Sequence, residues 1–485
     1  MRWSSFPAGP AALAGLVATL TGCVTLGERT ATATRPVSPS PSIAAELTPP
    51  DLPPRVQPAL PEALLEPGAT FTLSQVVDIA LSTSPVTRQA WRQARAAAAQ
   101  AGARWAAYYP RLDLIASGSR GQQSPDGREV APSATWGPAA TLSYLLLDFG
   151  GRAANAADAH HALLAADWSH EATIQSTVLA VQETYFSYQN AKAQTEAARA
   201  AVKQAETALE VAAGRHDVGV ATIADVLQAR TALSQARFNL AAAEGQVLTL
   251  RGALATAMGL PADLPFDVGS LPGEPPLDTV SSAVEPLITQ ALRRRPDLNA
   301  SREQAAKAAA KVRSVRSEGL PVISLTASAN RTFYEPVLYD HGRDNWTARV
   351  LVSYPLFAGF ENTQNLRKAS EDEAAAQAQS EGLEQQIVLQ VWTAYYRLRT
   401  AVEQVRAARD LLASAEQSEQ VALGRYKEGV GSILDLLTAE TALARARAQE
   451  IQARADYFIA GARLTHAVGA AVVADTAIVT EERQP

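Results

Sequence analysis

From Ile174 the apolar positions step by four and three residues, through Val178, Val181, Tyr185 and Tyr188, and then by heptads through Thr195, Val202 and Leu209. The same stepping returns at Val388, Val391, Tyr395, Leu398, Val402, Val405 and Leu412. This is the seam of a coiled-coil-like helix. The first such helix is predicted from about Arg152 to His216, and at ~1.5 Å per residue its roughly 64 residues make a rod of ~96 Å. Ahead of each long helix the period changes to two. Leu112, Leu114 and Ala116 alternate with Arg111, Asp113 and Ile115. Trp136, Ala140, Leu142, Tyr144 and Leu146 then fall on one side of a second stretch. Later come Ile323, Leu325 and Ala327, then Trp346, Ala348, Val350, Val352 and Tyr354. Alternation around a loop with Gly121, Pro125, Gly127 and Pro132 predicts β-hairpins. Two isolated hairpins are marginal alone, so they need partners. A further helix is predicted from about Leu73 to Tyr108, ended by Pro110.

The pattern is one unit written twice. Trp136 and Trp346, Tyr144 and Tyr354, and Tyr185 and Tyr395 are each separated by 210 positions, and Pro85 and Pro296, like Pro110 and Pro321, by 211. One residue is therefore gained or lost between Pro110 and Trp136, where a surface loop is expected. Each half reads helix, two strands, long helix, tip, helix. The shorter helices, of ~36 residues or ~54 Å, are about half as long as the rod, so two stacked end to end match it. The tip is "GRHDVGVATIADVL" at 214–227 and "GRYKEGVGSILDLL" at 424–437. Gly219 and Gly429 supply the positive φ of a tight reversal. Asp225 and Asp435 sit just inside the returning helix, at the positive end of its dipole, where helix capping is the ordinary role expected of them.

The expected divisions are a signal segment over 1–22, a Pro-rich tether over 23–70, a first repeat over 71–258, a linker over 259–280, a second repeat over 281–470 and a tail over 471–485. The front combines Arg2, the apolar run "AALAGLVATL" and Leu20-Thr21-Gly22-Cys23. That run is too short to span a bilayer. Cys23 is the only cysteine among the 485 residues, so no internal disulfide is possible. Its position resembles the lipobox of bacterial lipoproteins. The resemblance implies a covalent lipid on Cys23, and Val24 after it implies sorting to the outer membrane. No other stretch is apolar for 18 residues, so a membrane crossing requires a closed β-barrel.

Composition narrows the function. The chain is 47% hydrophobic but only 6% aromatic, and it carries a formal charge of −6. No basic face is on offer to nucleic acid. HExxH, P-loop and GxSxG motifs are absent, so no enzyme chemistry is expected. His160, His161, His170, His216, His341 and His466 form no metal-ligand spacing and are expected on the solvated surface. No metal site and no cofactor apart from the lipid on Cys23 is expected. Trp105, Tyr108, Tyr109, Trp136 and Trp346 flank the hairpins, as an interfacial aromatic belt or as ordinary helix-to-strand packing.

The paired tips, "RRPDLNASREQAAKA", "YLLLDFGGR", "SYPLFAGF" and "AMGLP", in this order behind a lipobox, resemble the TolC-like outer-membrane efflux proteins. The closer resemblance is to their lipoprotein branch, which serves resistance-nodulation-division pumps. The resemblance implies an α+β membrane protein in which a long α-helical coiled-coil barrel continues a transmembrane β-barrel. It implies a homotrimer whose four strands per chain close a barrel of twelve in outer-membrane lipid, with helices reaching into the periplasm. Its partners would be a periplasmic adaptor and an inner-membrane pump. It assigns Asp225, Asp435 and Tyr426 to the periplasmic gate, and Gly219, Val220, Gly429 and Val430 to the adaptor contact. Gly431 and Thr438 depart from the family's closing residues. The function implied is passive efflux of small molecules such as drugs, toxic compounds or metal ions. The exit duct of a type I protein-secretion system is an alternative, and a periplasmic adaptor or coiled-coil scaffold is another.

Overall fold

Each half of the chain folds as a broken helix, two strands, a long helix and a return helix. The structure is a computed structural model that describes residues 70–122, 131–272, 275, 277, 283–335 and 341–470. The signal segment, Cys23, the tether and the 471–485 tail lie outside the described residues, as do parts of the linker and of both hairpin loops. The first half contains α1 (Leu73–Thr83), α2 (Pro85–Trp105), β2 (Arg111–Gly121), β3 (Ser133–Leu147), α3 (Gly151–Asp217) and α4 (Ile223–Ala257). The second contains α5 (Glu285–Arg294), α6 (Pro296–Glu318), β5 (Val322–Glu335), β6 (Arg343–Ser353), α7 (Glu361–Lys427) and α8 (Ile433–Ala467). Two short strands, β1 (Thr70–Phe71) and β4 (Asp267–Val268), pair in parallel at the linker.

The helix expected over 73–108 is not continuous. Ser84 and Arg295 precede Pro85 and Pro296, and both leave the helical region, with ψ of 126° and 122°. Crowding by the proline ring drives the preceding residue extended, and proline then suits the first turn of a new helix. Both halves therefore break at the matching place. The long helices hold 67 residues each, ~100 Å at the standard rise. Their entry is tight. Phe149 and Gly150 have φ of 49° and 97°, and Gly359 and Phe360 have 60° and 64°. Two successive left-handed residues turn each chain from strand into helix, with phenylalanine and glycine in opposite order in the two halves.

α3 packs on α2 and α6 toward the strands, and on α4 and α8 toward the tip; α7 packs on α6 and α8. The array is ordered α2/α4, α3, α6/α8, α7. Its core is thickest beside the linker. There Val76, Val77, Val181, Leu254 and Met258 form one cluster, and Leu298, Ile387, Val391, Leu398 and Leu464 another. Ile387, rather than the expected Val388, is fully buried in that seam. Toward the tip the buried positions of α3 are Ala205, Ala208 and Ala212. Alanine lets helices approach closely but leaves a thin core.

The two hairpins are each other's partners. β3 pairs with β5, giving one antiparallel sheet in the order β2-β3-β5-β6. Gly137 marks the closest approach, because a Cβ there would collide with the Arg331 carbonyl oxygen of the neighbouring strand.

Candidate functional site

Both tips are built alike. The amide of Gly219 donates to the His216 carbonyl at 2.8 Å, and that of Val220 to the Arg215 carbonyl at 2.9 Å. Gly429 and Val430 repeat this on Tyr426 and Arg425 at 3.2 and 3.0 Å. These are Schellman closures, and φ of 81° and 82° at the two glycines is what they require. Each return helix begins with a capping box. Asp225 Oδ2 accepts from the Thr222 amide at 2.8 Å, while the Asp225 amide donates to Thr222 Oγ1 at 3.3 Å. Asp435 and Ser432 form the same box at 3.4 and 3.1 Å. Both carboxylates thus hold their own helix starts. Val220 and Val430 stand exposed beside the glycines, with Val218, Ile223 and Leu434 around them.

Of the gate candidates, Tyr426 is buried, among Ala208, Ala212, Ala229, Ile433 and Leu436. Its hydroxyl is buried without a hydrogen-bond partner among the described residues. Burial pushes its phenol up; the Arg215 charge pulls it down and the Asp225 carboxylate raises it further. The structure therefore brings the Asp225 carboxylate near Tyr426, although the hydrogen bonds of Asp225, like those of Asp435, are made within its own cap. Thr438 gives its hydroxyl to the Leu434 carbonyl at 2.7 Å, within its own helix.

Arg215 is the residue the sequence reading did not single out. Its Nη1 donates to the Tyr426 carbonyl at 2.6 Å, and its guanidinium lies 5.0 Å from the Tyr426 ring centroid. It caps the C-terminus of α7 from the opposite repeat, where a cation suits the helix dipole. The repeated Gly-Arg pair of the tip motif was the available signal. The counterpart Arg425 reaches only its own turn, at 3.5 Å from the Val430 carbonyl.

Several histidines are less exposed than expected. His161 Nδ1 lies 2.7 Å from Glu303 Oε2, joining α3 to α6, and His170 lies against Trp91 with its Nδ1 buried. His466 is half-buried, and desolvation, followed by the nearby Arg295, pulls its pKa down. Among the described residues no group of three or more His, Cys, Asp or Glu could hold a metal.

The two faces of the sheet differ in chemistry, one mainly apolar and the other mainly polar, with Ile115, Leu145 and Leu351 as apolar exceptions on the second. Paired residues point to the same side of a sheet, so the register sorts the side chains. One face carries Leu112-Leu142-Ala327-Ala348, Leu114-Ala140-Ala329-Trp346 and Tyr144-Leu325-Val350 as cross-strand rows. The other carries Arg111-Ser143-Thr326-Arg349 and Asp113-Thr141-Ser328-Thr347. The apolar face is open: Leu114 is 81% and Trp346 80% exposed. Trp136 stacks on Phe333 at 4.3 Å, while Trp105 and Tyr109 are exposed near the start of β2 and Tyr108 lies under Arg152 at 5.1 Å. Both edges of the sheet, β2 and β6, lack a partner strand among the described residues.

This arrangement matches known proteins. A family model described as outer membrane efflux protein fits residues 76–260 and 287–470. The chain is 27% identical over 383 residues to Protein CyaE of Bordetella pertussis, covering 79% of this chain and 80% of that protein. It is 29% identical over 351 residues to the probable efflux pump outer membrane protein SepC of Pseudomonas putida, covering 71% of each. Its fold matches the crystal structure of outer membrane protein VceC from Vibrio cholerae with a TM-score of 0.74 and 22% identity, over 82% of this chain and 96% of that one. Each of the two segments fitted by the family model holds one hairpin and one tip, and on that match the chain belongs to the outer membrane efflux protein family, whose members are channel proteins and not enzymes.

Proposed function

We propose that three copies of this chain close a twelve-stranded barrel in the outer membrane, continued by the helices into the periplasm as a passive exit duct for small molecules. The amphipathic sheet carries this reading. An exposed apolar face and two unpaired edges are costly in water and invite aggregation. In lipid the same face is satisfied, but only a closed barrel removes the edges. From Ile323 to the Arg331–Asp344 pair the apolar face runs about 27 Å along β5, about 21 Å at the ~40° tilt of membrane strands. Exposed Tyr354, Leu356 and Phe357 beyond β6 extend it toward the ~25 Å apolar band of such barrels. No helix among the described residues is long and apolar enough to cross a membrane.

The tips would meet a periplasmic adaptor through Gly219, Val220, Gly429 and Val430. The adaptor would link them to an inner-membrane pump that supplies the energy. Relatives named for toluene efflux and for antibiotic efflux support toxic organic compounds and drugs as the cargo. Asp225, Asp435 and Tyr426 would narrow the entrance, and a lipid on Cys23 would add an anchor. The test is native mass spectrometry and planar-bilayer recording of the purified protein. Trimers with stepwise conductance are expected; a monomer that does not conduct would overturn the reading. Labelling with radioactive palmitate, lost in Cys23→Ser, checks the anchor separately.

A further inference from the structure

The polar face of the sheet is not neutral. Arg111, Ser143, Thr326 and Arg349 are successive partners across all four strands, so both arginines belong to one row near the helical end. Asp113 is the only carboxylate on this face among the described residues, and it binds Arg111 Nε at 2.9 Å. Arg349 is exposed on the edge strand β6, and its guanidinium has no ion pair or hydrogen bond to any described residue. The row is not a reflection of composition, since the chain as a whole carries −6. The residues between are short and neutral, so nothing in the row shields these guanidinium groups from a solute.

We infer that Arg349, with Arg111 beside it in the row, forms a cationic belt inside the barrel that draws in anionic solutes: carboxylates, sulfonates and phosphate esters. This rests on the duct reading above, which makes the polar face the lumen. Three chains would set six guanidinium groups at one level. A guanidinium presents paired N–H donors that match an oxyanion. Low-dielectric walls focus the field of like charges into the aqueous bore, and the field reaches about a Debye length, ~8 Å at physiological salt. The acidic residues of the tips lie at the other end of the helices, so belt and tip act in series. The rival role for Arg349 is an ion pair with Asp113 of the neighbouring copy across the seam where β6 would meet β2.

The experiment is single-channel recording of the full trimer with inositol hexakisphosphate added on the barrel side only, which avoids the tips. The belt predicts block that weakens as salt rises. The blocking concentration should increase at least tenfold in Arg349→Gln and further in Arg349→Glu. Arg111→Gln should have a smaller effect, because Asp113 already neutralises Arg111. Unchanged block in both Arg349 variants, with normal conductance, overturns the belt and leaves the duct standing. A lowered trimer melting temperature with unchanged block assigns Arg349 to the seam and also overturns it. A wild-type protein that does not conduct overturns the duct reading itself.

Discussion

Four glycines close the helices of this fold with the same backbone geometry but in different surroundings, and substituting them separates two roles. Gly219, Gly429, Gly259 and Gly469 have φ between 75° and 82°. Alanine in the left-handed region costs about 1–2 kcal/mol at any of them. The difference lies in the space. A Cβ at Gly219 would meet nothing within 4 Å, and one at Gly429 would meet only the flexible end of Arg215, at 3.5 Å. A Cβ at Gly259 would lie 2.9 Å from Ser84 Cα, and one at Gly469 3.0 Å from the Arg295 amide nitrogen. These are backbone atoms at the proline breaks and cannot swing away. Overpacking adds about 1–3 kcal/mol, so Gly259→Ala and Gly469→Ala should cost about 2–5 kcal/mol in all. At roughly 1–2 °C per kcal/mol for a chain this long, the tip variants should melt 1–4 °C lower and the linker variants 2–10 °C lower, by circular dichroism at 222 nm. Asparagine tolerates the left-handed region. It should therefore restore the melting temperature at 219 and fail at 259. Equal losses at all four sites, or rescue by asparagine at 259, would refute the reasoning.

Glu440 is pushed up to about 7, first by burial and then by Glu419 on α7. Its folded pKa lies above its unfolded value, a shift worth about 3 kcal/mol that partial exposure to water screens to about 2–3 kcal/mol, so the fold is penalised by that amount above pH 7 and relieved as pH falls toward 4.5; Glu440→Gln should raise the melting temperature at pH 8 and change it little at pH 4. Arg295 is 6% exposed and holds Asp297 at 2.6 and 3.0 Å and Gln390 Oε1 at 2.6 Å. Arg295→Met should cost about 2–4 kcal/mol in thermal unfolding, less than a wholly buried pair, because Asp297 keeps part of its side chain in water. Burial works to raise the Asp297 pKa, but Arg295 holds it below the usual range, so this tie is intact at neutral pH and is lost only as pH falls below about 4. Leu114→Arg and Val350→Arg should each destabilise the barrel by about 2–4 kcal/mol at a lipid-facing midplane site and so lower the trimer yield read by heat-modifiable gel mobility. Asp435→Ala should weaken divalent-cation block in planar bilayers if it gates, and lower the melting temperature with block unchanged if it only caps; the second result would remove it from the gate.

Local signals were legible in the sequence, and contacts between the halves were not. The first long helix was expected from about Arg152 to His216 and runs Gly151–Asp217, because heptad periodicity and glycine are local. The caps were also legible there, since Asp225 and Asp435 are expected to cap the return helices whether or not they also gate, and the structure adds Thr222 and Ser432, three residues earlier, as their partners. The proline breaks were missed because apolar periodicity continues through Pro85 when a second helix starts on it. No local pattern fixes the β3–β5 pairing, which joins residues about 190 positions apart. Likewise His161 finds Glu303 at a separation of 142 residues, so a histidine without nearby ligands in sequence was wrongly expected to be solvated.

The two tips share one motif but not one environment, and that difference bears on assembly. Ile433 is 3% exposed, against the alanines of α3 and α4, whereas its repeat-mate Ile223 is 58% exposed. Arg215 reaches across to α7, but Arg425 has no third tip to reach. The second tip is covered because the first stands beside it, while the first is left open at the outer flank of the array. That flank shows Leu227, Phe238 and Leu248, and the opposite flank, α7, shows Leu389, Trp392 and Tyr396. A surface covered in one repeat and bare in its copy is the mark of a head-to-tail step repeated once within the chain. Head-to-tail association ends only in a closed ring or an open filament. The unpaired edges of the sheet set the same condition at the other end of the molecule. One rotation that seats α7 against the α2/α4 flank of the next copy, and β6 against its β2, would satisfy both ends at once, which supports a closed ring over a filament.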